Sequence, residues 1–237
     1  MATGYVLHEG PSPIDGEPIV SIATLHSNNR KTGDMVQVWI LRQDMPPMEA
    51  IKSGGDRSIC GGCPHRGTGT KRSCYVNVFR APAAIWRTYQ AGGYPLISSY
   101  EDAFAGRLVR FGAYGDPSLI PITVVANVLM FAKGHTGYTH QWFEAFAADY
   151  RGIFMASVDS AMEEQMAQQQ GWKTFRVYPA DVPIDQSQTC PAQLTNYRVQ
   201  CHTCQMCNGK KANIGIHAHG AGAKLVAGLS PAALSHV

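Results

Sequence analysis

The stretch IFMASVDSAMEEQMAQQQGWKTFRVY, residues 153–178, decides the fold class. Residues 153–158 are a short apolar run with β-favouring side chains, and residues 161–170 are helical in composition. Gly171 stands where a helix C-cap needs a left-handed residue, and residues 174–178 form a second β-prone run. Strand, helix and strand joined by such short connections predict a parallel pair with a crossover helix.

The same rhythm extends in both directions. Apolar runs recur at residues 108–113, 137–140 and 214–217, with helical stretches at 83–90, 119–132 and 142–150. Nearer the N-terminus, residues 20–25 and 35–41 are β-prone and flank the turn-rich segment 27–34, which predicts a β-hairpin. Residues 46–73 are rich in Gly, Pro and charge and read as a loop. The expected fold is α/β: a partial (β/α) barrel with parallel strands, preceded by a β-hairpin and carrying two cysteine-rich metal-binding loops. Residues 1–237 are expected to form a single domain. Within it, 1–57 is the hairpin region, 58–182 the cluster loop and β/α core, and 183–237 the cysteine-rich C-terminal segment with the last strand.

Composition bounds the function classes. The chain is 45% hydrophobic and 16% charged, as in ordinary globular proteins. It has no apolar run long enough to span a bilayer, so a membrane partner is not expected. Its first residues show neither a charged nor an apolar targeting region, so a cytoplasmic location is expected. The formal net charge of +3 hides a crowd of basic residues around the cysteines (Arg57, His65, Arg66, Lys71, Arg72, Lys210, Lys211), and thiolates bound to metal would add negative charge nearby, so it says little about partners. Nothing in the sequence signals an oligomeric state.

All seven cysteines fall into two groups with metal-ligand spacing, Cys60-x2-Cys63-x10-Cys74 and Cys190-x10-Cys201-x2-Cys204-x2-Cys207. Disulfide scaffolds are usually short and secreted, so metal ligation is the better explanation. The glycines of Cys60-Gly-Gly-Cys63 let the backbone fold tightly around sulfur. Three cysteines leave a four-ligand site incomplete: either His65 completes it or one metal position stays open for chemistry. The second group supplies four thiolates by itself. Its Cys-x2-Cys-x2-Cys run is ferredoxin-like and favours iron-sulfur over zinc, although the two groups could also converge on one metal site.

Polar residues cluster at the carboxyl ends of the expected strands, where α/β active sites lie: Asp116, His140, Asp159, Tyr178, Asp181, His217 and His219. Each of them could equally be a helix cap or a satisfied polar residue. His217 and His219 could also form a metal site of their own, because alternate residues of a strand share a face.

This order of features resembles the radical S-adenosylmethionine enzymes. Cys60, Cys63 and Cys74 followed by Tyr75 look like the family's cluster loop, which holds a four-iron cluster by three cysteines and leaves one iron for the cofactor. The segment Phe111-Gly-Ala-Tyr-Gly-Asp-Pro-Ser-Leu119 is similar to the Gly-Gly-Glu-Pro-like strand end of that family, with Gly115, Asp116 and Pro117 in the matching places. Ala156-Ser-Val-Asp-Ser160 is similar to its fourth strand. The spacing Cys-x2-Cys-x10-Cys departs from the usual Cys-x3-Cys-x2-Cys. The chain is also similar to an uncharacterised group of phage and plasmid proteins that share the Cys-Pro-His and Cys-Tyr signature and a late cysteine-rich motif.

The resemblance implies one or two 4Fe-4S clusters and S-adenosylmethionine as a small-molecule cofactor, with hydrogen abstraction by a 5′-deoxyadenosyl radical. It further implies cofactor contacts from Tyr75, Gly115, Asp116, Pro117 and Ser157, and Asp116, His140, Asp159, His217 and His219 as catalytic or substrate-facing residues. Two alternatives stand beside it. One is a structural zinc protein. The other is a non-enzymatic metal-cluster protein whose basic and aromatic residues (Arg57, Arg66, Lys71, Arg72, Tyr75, Phe79, Arg80, Trp86, Arg87) bind nucleic acid or which regulates a partner.

Overall fold

The computed structural model describes residues 2–67, 72–220 and 222–226. Lys71, among the basic residues noted above, lies outside the described residues. Strand β1 (Gly4–Pro11) pairs antiparallel with β2 (Pro18–Thr24), which pairs antiparallel with β3 (Val36–Arg42). The β2–β3 pair is the hairpin expected from the sequence, with Val20 opposite Leu41 and Ile22 opposite Trp39. Every residue of β3 is buried, because β3 is the pivot of the sheet: antiparallel partners end on one side and parallel partners begin on the other.

Strand β4 (Leu108–Tyr114) lies parallel to β3, and β5 (Gly134–Thr136) lies parallel to β4. A second sheet of β6 (Tyr138–Thr139), β7 (Met155–Val158), β8 (Thr174–Tyr178) and β9 (Ile214–His217) is parallel throughout. The two sheets meet at Gly137, which separates β5 from β6. A Cβ at Gly137 would lie 2.5 Å from the Phe154 ring, so only glycine allows this close approach. The molecule is thus mixed α/β, with a five-stranded sheet that starts in antiparallel strands and a parallel four-stranded sheet.

Helices α1 (Pro47–Ser53), α2 (Arg57–Cys60), α3 (Ala81–Gln90), α4 (Tyr100–Phe104), α5 (Ile122–Phe131) and α6 (Ala161–Gln169) fill the connections. α6 begins at Ser160, whose side chain accepts from the Glu163 amide, and ends at Gly171 with φ +84. There the Trp172 amide reaches back to the Ala167 carbonyl, closing the helix with a left-handed glycine as expected. Three short helices follow, α7 (Pro191–Leu194), α8 (Cys201–Cys204) and α9 (Ala223–Val226). Among the described residues no helix is long and apolar enough to cross a membrane.

Three local expectations need correction. Residues 46–73 are not all loop: a proline at the first turn starts α1, Gly54 at φ +79 ends it, and α2 follows directly. Residues 142–150 form a 3-10 turn over Ala145–Tyr150 rather than an α-helix. β1 escaped the sequence reading, since its alternation is broken by an irregularity between Val6 and His8.

The main core packs Ile40, Phe104, Phe111, Val125 and Phe154 between the sheet and its helices. Each such side chain stabilises the fold by about 1.5–3 kcal/mol. A smaller cluster, which includes Met155, Ile214, Ile216, Cys190 and Cys207, lies on the β6–β9 sheet.

Candidate metal centre

Arg42, at the end of β3, starts the first cysteine loop. Its guanidinium is buried and donates to both carboxylate oxygens of Asp44 at 2.9 Å and to Ser58 Oγ at 3.0 Å, which anchors α2. Asp56, also buried, accepts from Arg66 at 2.8 Å. Cys60 closes α2, and the next residue, Gly61, has φ +54 and ψ −129, a conformation that L side chains rarely adopt. Gln141 clamps this turn: its Nε2 donates to the Cys60 carbonyl at 3.0 Å and its Oε1 accepts from the Gly62 amide at 3.2 Å. A Cβ at Gly61 would lie 2.2 Å from the same side chain. The Cys74 amide donates to the His65 carbonyl at 2.9 Å and brings the third cysteine back to the first two.

Cys60, Cys63 and Cys74 line one cavity. Burial and the neighbouring thiols push the Cys60 thiol up, and burial also raises Cys74, so these two thiols hold their protons until an electropositive group displaces them. Among the described residues, only His65, His140 and Asp159 bring three ligand atoms within 4.8 Å of one another; no three cysteine sulfurs do. Four thiolates on one zinc ion stand about 3.8 Å apart, as tetrahedral bonds of about 2.3 Å require. Sulfurs that each cap a different iron of a cluster stand farther apart.

Beside this group, Asp159 at the end of β7 accepts from His65 Nε2 at 2.7 Å and lies 3.3 Å from His140 Nε2. The second nitrogen of His65 is 2.9 Å from Ser73 Oγ. Both nitrogens of His65 are thus engaged by side chains outside the cysteine set. His140 is the histidine that approaches it, with Nε2 3.9 Å from Cys63 Sγ. Burial opposes a charge on His140, but Cys63 and Asp159 raise its pKa well above the ordinary value. Burial likewise opposes the Asp159 carboxylate, and the two histidines overcome it and hold its pKa below the ordinary range.

Asp116 also lines the cavity and is buried, but its oxygens are occupied. Oδ1 accepts from the Ser118 amide and hydroxyl at 3.0 and 2.8 Å, and Oδ2 from the His140 amide at 2.8 Å. It therefore positions the loop and His140. Gly115 (φ +78), Ser157 and Tyr75 line the same cavity, whereas Pro117 is buried at the start of a 3-10 turn. His217 and His219 part company: His217 Nε2 donates to the Val182 carbonyl at 2.9 Å, while His219 lies in the cavity wall 5.2 Å from the Tyr75 ring. His219 falls beyond the end of β9, so strand alternation does not carry it to the face of His217. Tyr178 lies under Arg176 at 4.4 Å, and Asp181 is exposed.

The second group, Cys190, Cys201, Cys204 and Cys207, lines the same cavity. Its loop is sewn onto distant backbone. The Cys190 amide donates to Gly215, the Cys201 and His202 amides donate to Lys31 and Thr32, and the Cys207 carbonyl accepts from Gly137. Three non-glycine residues with positive φ, Asn196, Tyr197 and Gln205, lie in this loop. Such backbone persists only where surrounding structure holds it.

Of the basic and aromatic residues near the first loop, Arg66 is engaged with Asp56, Arg72 is turned inward toward the same carboxylate at 3.9 Å, and Trp86 donates to the Arg42 carbonyl. Arg57, Phe79, Arg80 and Arg87 stay exposed. The sequence reading missed Thr136, Tyr138 and Arg110 as cavity residues, and Gln141 as the residue that clamps the first cysteine loop. Only Arg110 carried a signal, a charge inside the apolar run Leu108-Val-Arg-Phe111. No family model, curated protein or solved structure matches the chain.

Proposed function

We propose that this chain is an iron-sulfur protein of the radical S-adenosylmethionine kind. In this reading Cys60, Cys63 and Cys74 hold a 4Fe-4S cluster with one iron left for the cofactor, and Cys190, Cys201, Cys204 and Cys207 hold a second cluster. The observation that carries it is the spacing of the sulfurs: seven free cysteines face one cavity, yet no three sulfurs come within 4.8 Å. That suits ligands of separate irons and does not suit a single zinc ion.

The positions of the parts add support. The three-cysteine loop follows the first strand of the parallel series β3, β4, β5 with β6, β7, β8 and β9, a series that fits a partial (β/α) barrel. Asp116 follows β4 and Asp159 follows β7, so three strand ends converge on this loop. A bulge at Gly112 (φ +72) turns the end of β4, and the Asp116 amide then reaches the Ile59 carbonyl at 2.7 Å.

A cluster held by Cys60, Cys63 and Cys74 would, once reduced by an external one-electron donor, supply the electron for cleavage of the cofactor's sulfonium. The chain's own residues hold the site. Gln141 and Gly61 shape the first loop, Asp159 fixes His65 and His140 beside it, and the largely apolar walls, which include Val76, Phe175, Val177 and Ile216, keep water from the reacting centre.

Anaerobic purification with measurement of iron and sulfide tests the reading, followed by addition of S-adenosylmethionine and a reductant. Brown protein that releases 5′-deoxyadenosine is the expected result. A colourless protein rich in zinc overturns the cluster assignment. Iron without cofactor cleavage, together with salt-dependent binding of nucleic acid, replaces the enzyme with the non-catalytic alternative.

A further inference from the structure

His65, His140 and Asp159 reach one point from three remote parts of the chain: the first cysteine loop, the segment after β6 and the end of β7. Asp159 Oδ1 lies 2.7 Å from His65 Nε2, and Asp159 Oδ2 lies 3.3 Å from His140 Nε2. One ligand atom from each residue falls within 4.8 Å of the other two, and Cys63 does not join them. Metal ligands at right angles, on bonds of about 2.1 Å, stand about 3.0 Å apart, and opposite ligands about 4.2 Å apart. The three side chains are between 9% and 19% exposed, and both histidines line the cavity, so the group is sheltered yet reachable.

Each of the three is also held from behind. His65 Nδ1 is 2.9 Å from Ser73 Oγ, which fixes the ring and leaves Nε2 for the centre of the group. The His140 amide donates to Asp116 Oδ2 at 2.8 Å, and the Asp159 amide donates to Glu163 Oε2 at 2.7 Å. A single proton on His140 Nε2 cannot be aimed well at both of its neighbours, Asp159 Oδ2 and, at 3.9 Å, Cys63 Sγ. A cation at the centre of the group instead offers a bond to all three residues.

Two imidazoles and one carboxylate are a ligand set for divalent zinc or iron, with coordination positions left over. We propose that His65, His140 and Asp159 bind one divalent first-row metal ion, separate from anything the cysteines hold. Its remaining positions accept water or an oxygen of a small ligand in the cavity. The site goes beyond the cluster reading above and does not depend on it.

Manganese(II) is the probe, because as a hard ion it leaves thiolates alone. Anaerobically prepared full-length protein, freed of loosely held metal on a chelating resin, is titrated with manganese(II) chloride while the EPR signal of the free aqueous ion is followed. One bound ion per chain is expected, with nitrogen hyperfine coupling from two imidazoles in pulsed EPR. H140Q should weaken binding about tenfold or more, and so should D159N, which keeps an oxygen acceptor for His65. H26Q, at a side chain that is 74% exposed, should leave it unchanged.

The nitrogen coupling is read on the wild type, so the test stands even where a variant fails to fold. Absence of binding overturns the proposal, as does bound manganese without nitrogen coupling, or binding that H140Q and D159N both leave intact. Iron and sulfide are measured in the same samples. Manganese bound in the absence of any cluster supports this site and defeats the cluster reading, whereas clusters without manganese binding defeat this site alone.

Discussion

His65 Nε2 donates to Asp159 Oδ1 at 2.7 Å, joining residues 94 apart in sequence and tying the first cysteine loop to the end of β7. Both side chains are close to nine-tenths buried, so the pair is shielded from solvent. Removing one partner of such a pair leaves the other uncompensated, at a cost of about 3–5 kcal/mol. D159A should therefore lower the urea midpoint and loosen iron retention by the first group more than by the second. An unchanged midpoint with unchanged iron would show that the bond does not hold the loop.

The two cysteine groups should load independently, because each is anchored by different backbone: α2 and Gln141 for the first, Lys31, Thr32 and Gly215 for the second. With two four-iron clusters, the wild type should carry about eight irons per chain, and either C60S/C63S/C74S or C201S/C204S/C207S should carry about four. Iron analysis of anaerobic preparations checks this. Loss of all iron in both variants would point to a single shared site.

Gly115 is held at φ +78, and a Cβ there would lie 2.7 Å from the Ile40 carbonyl oxygen. The obstacle is backbone and cannot rotate away. G115A should cost roughly 2–4 kcal/mol, combining the left-handed strain of a non-glycine residue with overpacking. Chemical denaturation measures the loss, and a value below about 1 kcal/mol would mean that β3 and β4 can separate without penalty.

Tyr150 supplies a pH signature away from the metal groups. Its hydroxyl donates to the Ile120 carbonyl, and burial, helped by Asp149 and Asp116, pushes its pKa up to about 12. The unfolded chain releases this proton near pH 10, so the contribution is fully present below that pH and is lost as pH rises through about 12. Y150F should be less stable than wild type by about 1 kcal/mol at neutral pH, since it leaves the carbonyl unpaired. The gap should close and then reverse between about pH 10 and pH 12, as followed by denaturant titration. A gap independent of pH would place the phenol in solvent.

Much of the scaffold was legible before folding was considered. Residues 174–178 and 214–217 coincide with β8 and β9, and residues 20–25 and 35–41 closely match β2 and β3, because period and turn chemistry are local properties. α1 and α2 were not legible. They are too short to display a periodic apolar face, and α2 is held by the side chains of Arg42 and Gln141, the latter 81 residues away from the Cys60 carbonyl it binds. The split of His217 from His219 was hidden for a similar reason, since the point where β9 stops pairing with β8 depends on contacts made elsewhere.

The sequence by itself determined that cysteines occur as a group of three and a group of four, and that strands and helices alternate after a hairpin. Those facts follow from covalent spacing and from side-chain preference, which need no partner. Only the tertiary structure decided that both groups open onto one cavity, that no three thiol sulfurs come within 4.8 Å of one another, and that Arg110 of β4 pairs in register with Thr136 of β5 in its wall. Each of these is a distance between residues far apart in the chain, and such distances are fixed by how the parallel strands order and pack.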